Sequence, residues 1–284
     1  MTPETHTEAV VRYYDETWFD YRSVWLNRVN SALHFGYESA GTEPHHVTLQ
    51  HGNAVCADIA GVRPGDRVLD AGCGIGGSAR WLAEERGAIV VGITPVQSQI
   101  VRARRLAAEH ELGDRVRFEA RDYLATGYDA SSFDVAWAME SLCHASDKSA
   151  FYREMHRVLA PGGRLVVAEY MRTRRDISAA NERRMREWCD GWVMPDLLTG
   201  EEHQEAARAA GFGDVVLRDG TAYTRRSVQR LYHRTLACTP LDWVLYSLGL
   251  RSAVQHGNVV ASRRQYPLLV SGCWFYGILS ASRD

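Results

Sequence analysis

Residues 67–82 read RVLDAGCGIGGSARWL, and no other stretch of the 284-residue chain restricts its fold as tightly. A short apolar run, Arg67–Ala71, enters a turn carrying Gly72, Gly74, Gly76 and Gly77; SARWLAEERG then has helical spacing and a glycine stop. A strand that passes through a glycine turn straight into a helix is the opening unit of a parallel sheet wound with helices. Its turn is where backbone N–H groups approach a nucleotide. Two glycine patterns overlap here. Gly72, Gly74 and Gly77 satisfy G-x-G-x-x-G, the dinucleotide form, whereas Gly72, Gly74 and Gly76 satisfy G-x-G-x-G.

The alternation continues along the chain. AIVVGIT reads as a second buried strand, and PVQSQIVRARRLAAEHELG as a helix with Pro95 near its start and Gly113 at its end. RVRFEA and FDVAWAM are further strands. KSAFYREMHRVLAPGG is a helix stopped by Pro-Gly-Gly, and RLVVAEYM is the strand after it. EHQEAARAAGF and DVVLRDG supply one more helix and strand, and PLLVSGCWFYGILSA is expected to close the sheet as an antiparallel edge. This order predicts an α/β, doubly wound parallel sheet. Three aromatic, helix-like segments stand outside it: YYDETWFDYRSVWLNRVNSALHFGY, RTRRDISAANERRMREWCDGWVMPD and YTRRSVQRLYHRTLACTPLDWVLYSLGL. Ligands of such sheets lie beyond the carboxyl ends of the strands, so these segments are expected to cap the site. The expected organisation is an N-terminal helical lid over 1–62 and a main domain over 63–284, with cap insertions at about 172–198 and 221–262.

Lys plus Arg number 33 and Asp plus Glu 35, a net charge of −2, which argues against broad attraction to nucleic acid or anionic lipid. No apolar run reaches the roughly 18 residues of a membrane span, and the N-terminus is acidic where a secretory leader is basic and then apolar. The six cysteines form no C-x-x-C pair and read as reduced thiols of a cytoplasmic protein, without a zinc site. His45 and His46 are adjacent, a spacing ill suited to one metal ion, and no protein-bound metal is expected.

Asp70, two residues before Gly72, separates the two glycine patterns. A dinucleotide would bring its anionic pyrophosphate to this turn, where a carboxylate repels it. S-adenosylmethionine brings an ammonium and a sulfonium, which a carboxylate suits. The acid expected about 20 residues on in a dinucleotide site is replaced by Thr94 of GIT. Asp122 of EARDY follows the third strand, where it can accept from an adenine amino group. The turn is therefore expected to bind S-adenosylmethionine and release S-adenosylhomocysteine. The plain alternative is a tight turn without a ligand.

These residues resemble the class I S-adenosylmethionine-dependent methyltransferases over about 63–212, with their seven-stranded Rossmann-like sheet. Within that family the chain is similar to the sterol, tocopherol and prenyl diphosphate C-methyltransferases. VLDAGCGIGGSARWLAEERGAIVVGIT, Gln99 to Ala103, AMESLCHASD and FYREMHRVLAPGGRLVVAEY carry the resemblance, with YYDETW and HFGY upstream. It implies ribose contacts from Thr94 and Gln99. Further cofactor contacts are expected from Asp70, Gly72, Cys73, Gly74, Gly76, Asp122, Tyr123 and Met139. The stretch DETWFDYRSVWLNRVN is longer and more aromatic than the family pattern, so the acceptor pocket departs from it.

WAMESLCHASD overlooks the reacting methyl. Methylation of an alkene leaves a carbocation, which needs π-rich or negative surroundings, exclusion of water and a base. Glu140 and His144, four apart and expected on one face of a helical turn, are the candidate catalytic groups, with Tyr21. Acceptor contacts are expected from Tyr14, Trp18, Trp25, Phe35, Tyr37, Glu169, Trp188 and Trp192; Phe19 and Trp243 are further possible cation–π walls. The group Arg172, Arg174, Arg175, Arg183, Arg184 and Arg186 offers guanidiniums for a substrate diphosphate, which would carry Mg²⁺ with it. The expected reaction is C-methylation of an isoprenoid, as a free prenyl diphosphate or a prenylated natural product. The alternatives are N- or O-methylation of a small amine or phenol, and a non-catalytic cofactor sensor. The aromatic N-terminus is costly to expose, so it caps its own site or packs on a neighbour in a homo-oligomer with exchanged N-terminal helices.

Overall fold

The computed structural model describes residues 4–26, 31–39 and 41–284; residues 27–30 of the aromatic N-terminal segment lie outside the described residues. The strands are β1 (Arg67–Ala71), β2 (Ile89–Thr94), β3 (Val116–Ala120), β4 (Phe133–Met139), β5 (Leu159–Arg172), β6 (Gly213–Asp219) and β7 (Trp274–Ser282). They form a single sheet in the order β3-β2-β1-β4-β5-β7-β6. β1 to β5 are parallel and β7 runs antiparallel to both its neighbours. Four of the five residues of β1 are buried, as for a parallel strand covered on both faces. The strand order reverses between β1 and β4, which opens a crevice at their carboxyl ends.

The helices are α1 (His6–Asp20), α2 (His45–Ala60), α3 (Gly77–Arg86), α4 (Gln97–Glu109), α5 (Lys148–Val158), α6 (Ala179–Gly191), α7 (Gly200–Ala209), α8 (Thr221–Ser247) and α9 (Ala253–Val270). A capping box starts α1: Thr5 Oγ1 accepts from the Glu8 N–H, and the Glu8 carboxylate accepts from the Thr5 N–H. A π-helical turn, Tyr21–Trp25, continues it. α2 ends at Gly61 in the left-handed conformation and packs beneath β5 and α3, with Ser78 Oγ donating to Asn53 Oδ1 at 2.9 Å. α6, α8 and α9 build the cap with α1. At Gly191 an added Cβ would lie 2.3 Å from Gly257 O, so α6 and α9 meet backbone to backbone.

The C-terminal region differs from expectation. PLLV belongs to α9, which continues through Pro267 because Leu268 and Leu269 turn into the core. The strand begins only at Trp274, and it is an interior strand; β6, exposed at alternate residues, forms the edge. The Pro-Gly-Gly stretch is also drawn into β5, which starts directly where α5 ends.

Candidate active site

A cavity of about 320 Å³ opens at the carboxyl ends of β1 and β4, within the size range of small-molecule sites. Its two ends differ in construction. At the first, Asp70, Gly72, Cys73 and Gly74 line the wall where β1 passes into its turn. Gly72 has φ +94°, and a Cβ there would meet Ser141 Cβ at 2.3 Å, so only glycine lets the turn approach so closely. Ser141 Oγ donates to Ala71 O at 2.6 Å and Tyr123 OH to Ser141 O at 3.0 Å, which stitches the ends of β1 and β4 together.

Asp70 Oδ2 is buried without a hydrogen-bond partner among the described residues. Burial pushes its carboxyl up to about 7, opposed by the Ala79 N–H. A buried carboxylate oxygen without a donor is costly until a cation or N–H donor reaches it, so this end fits an ammonium-bearing ligand. Across the cavity, Thr94 Oγ1 donates to Gln99 Oε1 at 2.9 Å, and Asp122 Oδ1 accepts from the Leu124 N–H at 2.8 Å. Thr94, Gln99, Asp122, Tyr123 and Met139 all line the same cavity.

At the second end, Glu140 adopts φ +50°, which turns its side chain from β4 toward β5 and β7. Its Oε1 accepts from the Phe35 N–H at 2.7 Å and from Tyr276 OH at 3.0 Å, and its Oε2 accepts from Tyr170 OH. Removal from water pushes this carboxyl up to about 8 against those three donors. Rings surround it. Tyr170 lies 5.8 Å from Phe35, 6.1 Å from Trp192 and 5.5 Å from Trp188 between centroids. Trp25 packs edge-on to Phe35 at 5.5 Å.

His144 does not share a helical face with Glu140, because Leu142–His144 is a 3₁₀ turn and the two side chains reach different walls. His144 Nε2 lies 3.0 Å from Tyr14 OH, and Nδ1 lies 3.3 Å from Val193 O. Burial pulls its imidazole down to about 4, so it is neutral near pH 7. With the proton on Nδ1 facing Val193 O, Nε2 accepts from Tyr14. Tyr21 OH is 3.0 Å from Tyr13 OH, which donates to Asn258 Oδ1 at 2.9 Å. The helices α8 and α9 complete this end with Leu231, Thr235, Asn258 and Ser262.

Six expected residues lie off the cavity wall. Trp18 is covered by the Arg102 guanidinium 4.1 Å from its ring, and Tyr37 stacks on Tyr223 at 4.5 Å. Trp188 is fully buried behind Tyr170, and Trp243 is exposed on α8. Glu169 faces inward and accepts from the Cys143 and Tyr170 N–H groups. Gly76, the residue before α3, abuts Phe118. The arginine group also lies away from the cavity: Arg172 pairs with Glu182 and Asp196, Arg175 with Asp196 and Glu202, and Arg184 bonds Asn181. The only Arg or Lys among the described lining residues is Arg251, which Asp20 and Asp242 engage at 2.7 Å each.

Sequence reasoning missed Tyr170 and Tyr276, the two hydroxyls that fix Glu140. Both sit within strands, and their only signal was an aromatic residue at the inward register of β5 and β7, where Tyr170 faces Tyr276.

A family model described as "Methyltransferase domain" matches residues 69–167, from β1 to β5. The 27-O-demethylrifamycin SV methyltransferase of Amycolatopsis mediterranei is 36% identical over 200 residues, covering 69% of this chain and 71% of that protein. The chain belongs to the S-adenosylmethionine-dependent methyltransferases. A probable tocopherol O-methyltransferase of Oryza sativa is 30% identical over 225 residues, 75% of this chain. The sterol 24-C-methyltransferase ERG6 of Saccharomyces cerevisiae is 30% identical over 220 residues, 76% of this chain. The chain spans 61% and 56% of the lengths of these two relatives. Among solved structures, the [4+2]-cyclase SpnF is 27% identical with a TM-score of 0.81, covering 98% of this chain and 96% of that one. The geranyl diphosphate C-methyltransferase of Streptomyces coelicolor shares the fold at 19% identity and a TM-score of 0.73, with complete coverage of both chains.

Proposed function

We propose that the protein methylates an alkene carbon of a prenyl-bearing natural product, using S-adenosylmethionine as donor. One observation carries this reading: the Glu140 carboxylate, fixed by Tyr170, Tyr276 and the Phe35 N–H, stands in an aromatic wall of the cavity. The bound donor supplies an electrophilic methyl group. Asp70 would hold its ammonium, Thr94 and Gln99 its ribose hydroxyls, and Asp122 its adenine amino group. The faces of Tyr170, Phe35 and Trp192 stabilise the positive charge that develops on the acceptor. Glu140 Oε2, which accepts one hydrogen bond from the protein, retains a lone pair for the proton lost from the neighbouring carbon. A relative named as a sterol 24-C-methyltransferase supports the same chemistry. The placement of Arg251 and of the arginine group favours a prenylated acceptor over a free diphosphate. Free cysteines fit a reducing, cytoplasmic compartment. α1 packs on α9, and the cost of exposing the aromatic N-terminal segment supports a homo-oligomer with exchanged N-terminal helices.

A second reading is O-methylation, favoured by the Tyr14–His144 pair and by the rifamycin relative. Here His144, relayed through Tyr14, would take a hydroxyl proton. Glu140→Gln separates the two. Alkene methylation requires a loss of about two orders of magnitude or more in turnover, with the unfolding temperature retained as a control for the fold. Turnover within a few-fold of wild type would remove Glu140 from the chemistry and leave the O-methyl reading.

A further inference from the structure

The mouth of the cavity opens beside a surface that methyl transfer does not use. The last part of α8 and the turn after it expose Leu241, Trp243, Val244, Tyr246, Leu248 and Leu250, with Leu250 69% and Trp243 64% exposed. Asp242 is the one charged residue between Leu236 and Leu250; it is 4% exposed and faces inward onto Arg251 and His256. At 100° per residue these apolar side chains spread round the helix, so they form a protruding end and not a groove. Exposed apolar residues contiguous on this scale mark an interaction site.

Charge on α8 is polarised along its length. Its first half carries Arg225, Arg226, Arg230, His233 and Arg234, and Asp242 is its one acid. Arg226 pairs with Glu38 at 3.4 Å yet keeps a 60% exposed side chain, and Arg234 is exposed while donating to Val24 O at 2.6 Å. A basic half running into an apolar end whose one acid is buried, with Trp and Tyr among the leucines, is the composition of a helix that enters the interfacial layer of an anionic bilayer. The net charge of −2 conceals this local polarity. The patch is also continuous with the cavity: Leu241 lines it while being 64% exposed, and Phe19 at its rim is 67% exposed.

We propose that the end of α8 inserts into the surface of an anionic membrane and turns the mouth of the cavity toward the lipid. No helix among the described residues is long and apolar enough to cross a bilayer, so the contact is interfacial. A second copy is the less favoured occupant, because it would leave the basic half of α8 without an anionic partner. The proposal goes beyond the assigned methyl transfer and is tested without donor or acceptor, so its failure leaves that reading untouched.

The experiment is flotation of the whole protein with vesicles of phosphatidylcholine containing about one third phosphatidylglycerol. The protein is expected to float with these vesicles, to bind less to pure phosphatidylcholine, and to be released by high salt. The double variant Leu248→Glu, Leu250→Glu is expected to lower the bound fraction about tenfold or more. Both leucines are exposed, so an unchanged unfolding temperature shows that the fold is kept. Absence of binding to the anionic vesicles, or equal binding by the variant, would overturn the proposal. So would a concentration-dependent dimer that the same variant abolishes in protein that never floats, which would assign the patch to a second copy.

Discussion

The end of the cavity proposed to hold the donor and the end proposed to hold the acceptor are assembled in opposite ways. The donor end comes from short loops at the ends of adjacent parallel strands, and its key polar atom, Asp70 Oδ2, has no partner among the described residues. The acceptor end closes on itself: Phe35 and Tyr276 reach Glu140 from 105 and 136 residues away, and Tyr14 reaches His144 from 130. One end is shaped by backbone and leaves a charge open for a ligand. The other is a network in which Glu140 and His144 already have partners, although the indole N–H groups of Trp25 and Trp192 have none among the described residues. Donor binding and acceptor chemistry should therefore be separable by mutation.

The largest expected effect is at the acceptor end. Glu140→Gln should lower kcat by about two orders of magnitude or more while leaving donor affinity, measured by titration calorimetry, within about twofold. Burial raises the Glu140 carboxyl to about 8. A base works when deprotonated, so the wild-type rate should climb as pH rises through about 8, and the variant should lack that limb.

Asp70→Asn should do the reverse. It removes the charge that meets the donor ammonium, so donor affinity should fall about tenfold or more. The free protein should melt at a higher temperature, because a carboxyl with no donor on Oδ2 has been replaced by a neutral amide. The Asp70 carboxyl is raised to about 7, so wild-type affinity for the donor should weaken as pH falls below that value.

Tyr14→Phe sharpens the comparison within the acceptor end. If His144 only orients Tyr14, turnover should fall less than about tenfold; a loss of about a hundredfold would mark a proton relay and favour O-methylation.

The smallest effect concerns stability. Asp70, Glu140 and Glu169 are raised to about 7, 8 and 7 by burial. In the fold they keep protons that the unfolded carboxylates have already lost, so their contribution is greatest at low pH and disappears as pH rises through these values. Above about pH 7.5, a unit beyond the ordinary histidine pKa of about 6.5, the free protein should melt at a temperature that falls by a few degrees toward about pH 8.5. The Asp70→Asn and Glu140→Gln variants should each flatten that slope.

The same contrast explains what the sequence revealed. The glycine turn, Asp70 and the order of β1 to β5 were legible because each rests on neighbours within one strand–turn–helix unit. The antiparallel run of β7 was legible too, but its interior place was not, since β6 and β7 pair through registers that no local pattern records. Trp18 and Tyr37 carried the right chemistry for an acceptor wall, yet the rotation of α1 sent Trp18 to Arg102, and Tyr37, in the irregular stretch before α2, stacks on Tyr223. Tyr170 and Tyr276 escaped notice because a tyrosine in a strand reads as core until Glu140, bent by its positive φ, is seen to meet it.

The most direct measurement is the bond that the transferred methyl group forms. The protein, given S-adenosylmethionine carrying a ¹³C methyl and a panel of prenylated aromatic acceptors, should yield a product whose labelled methyl is attached to carbon by ¹³C NMR. A label found only as an O-methyl or N-methyl group, on acceptors that also offered the alkene, would contradict the account.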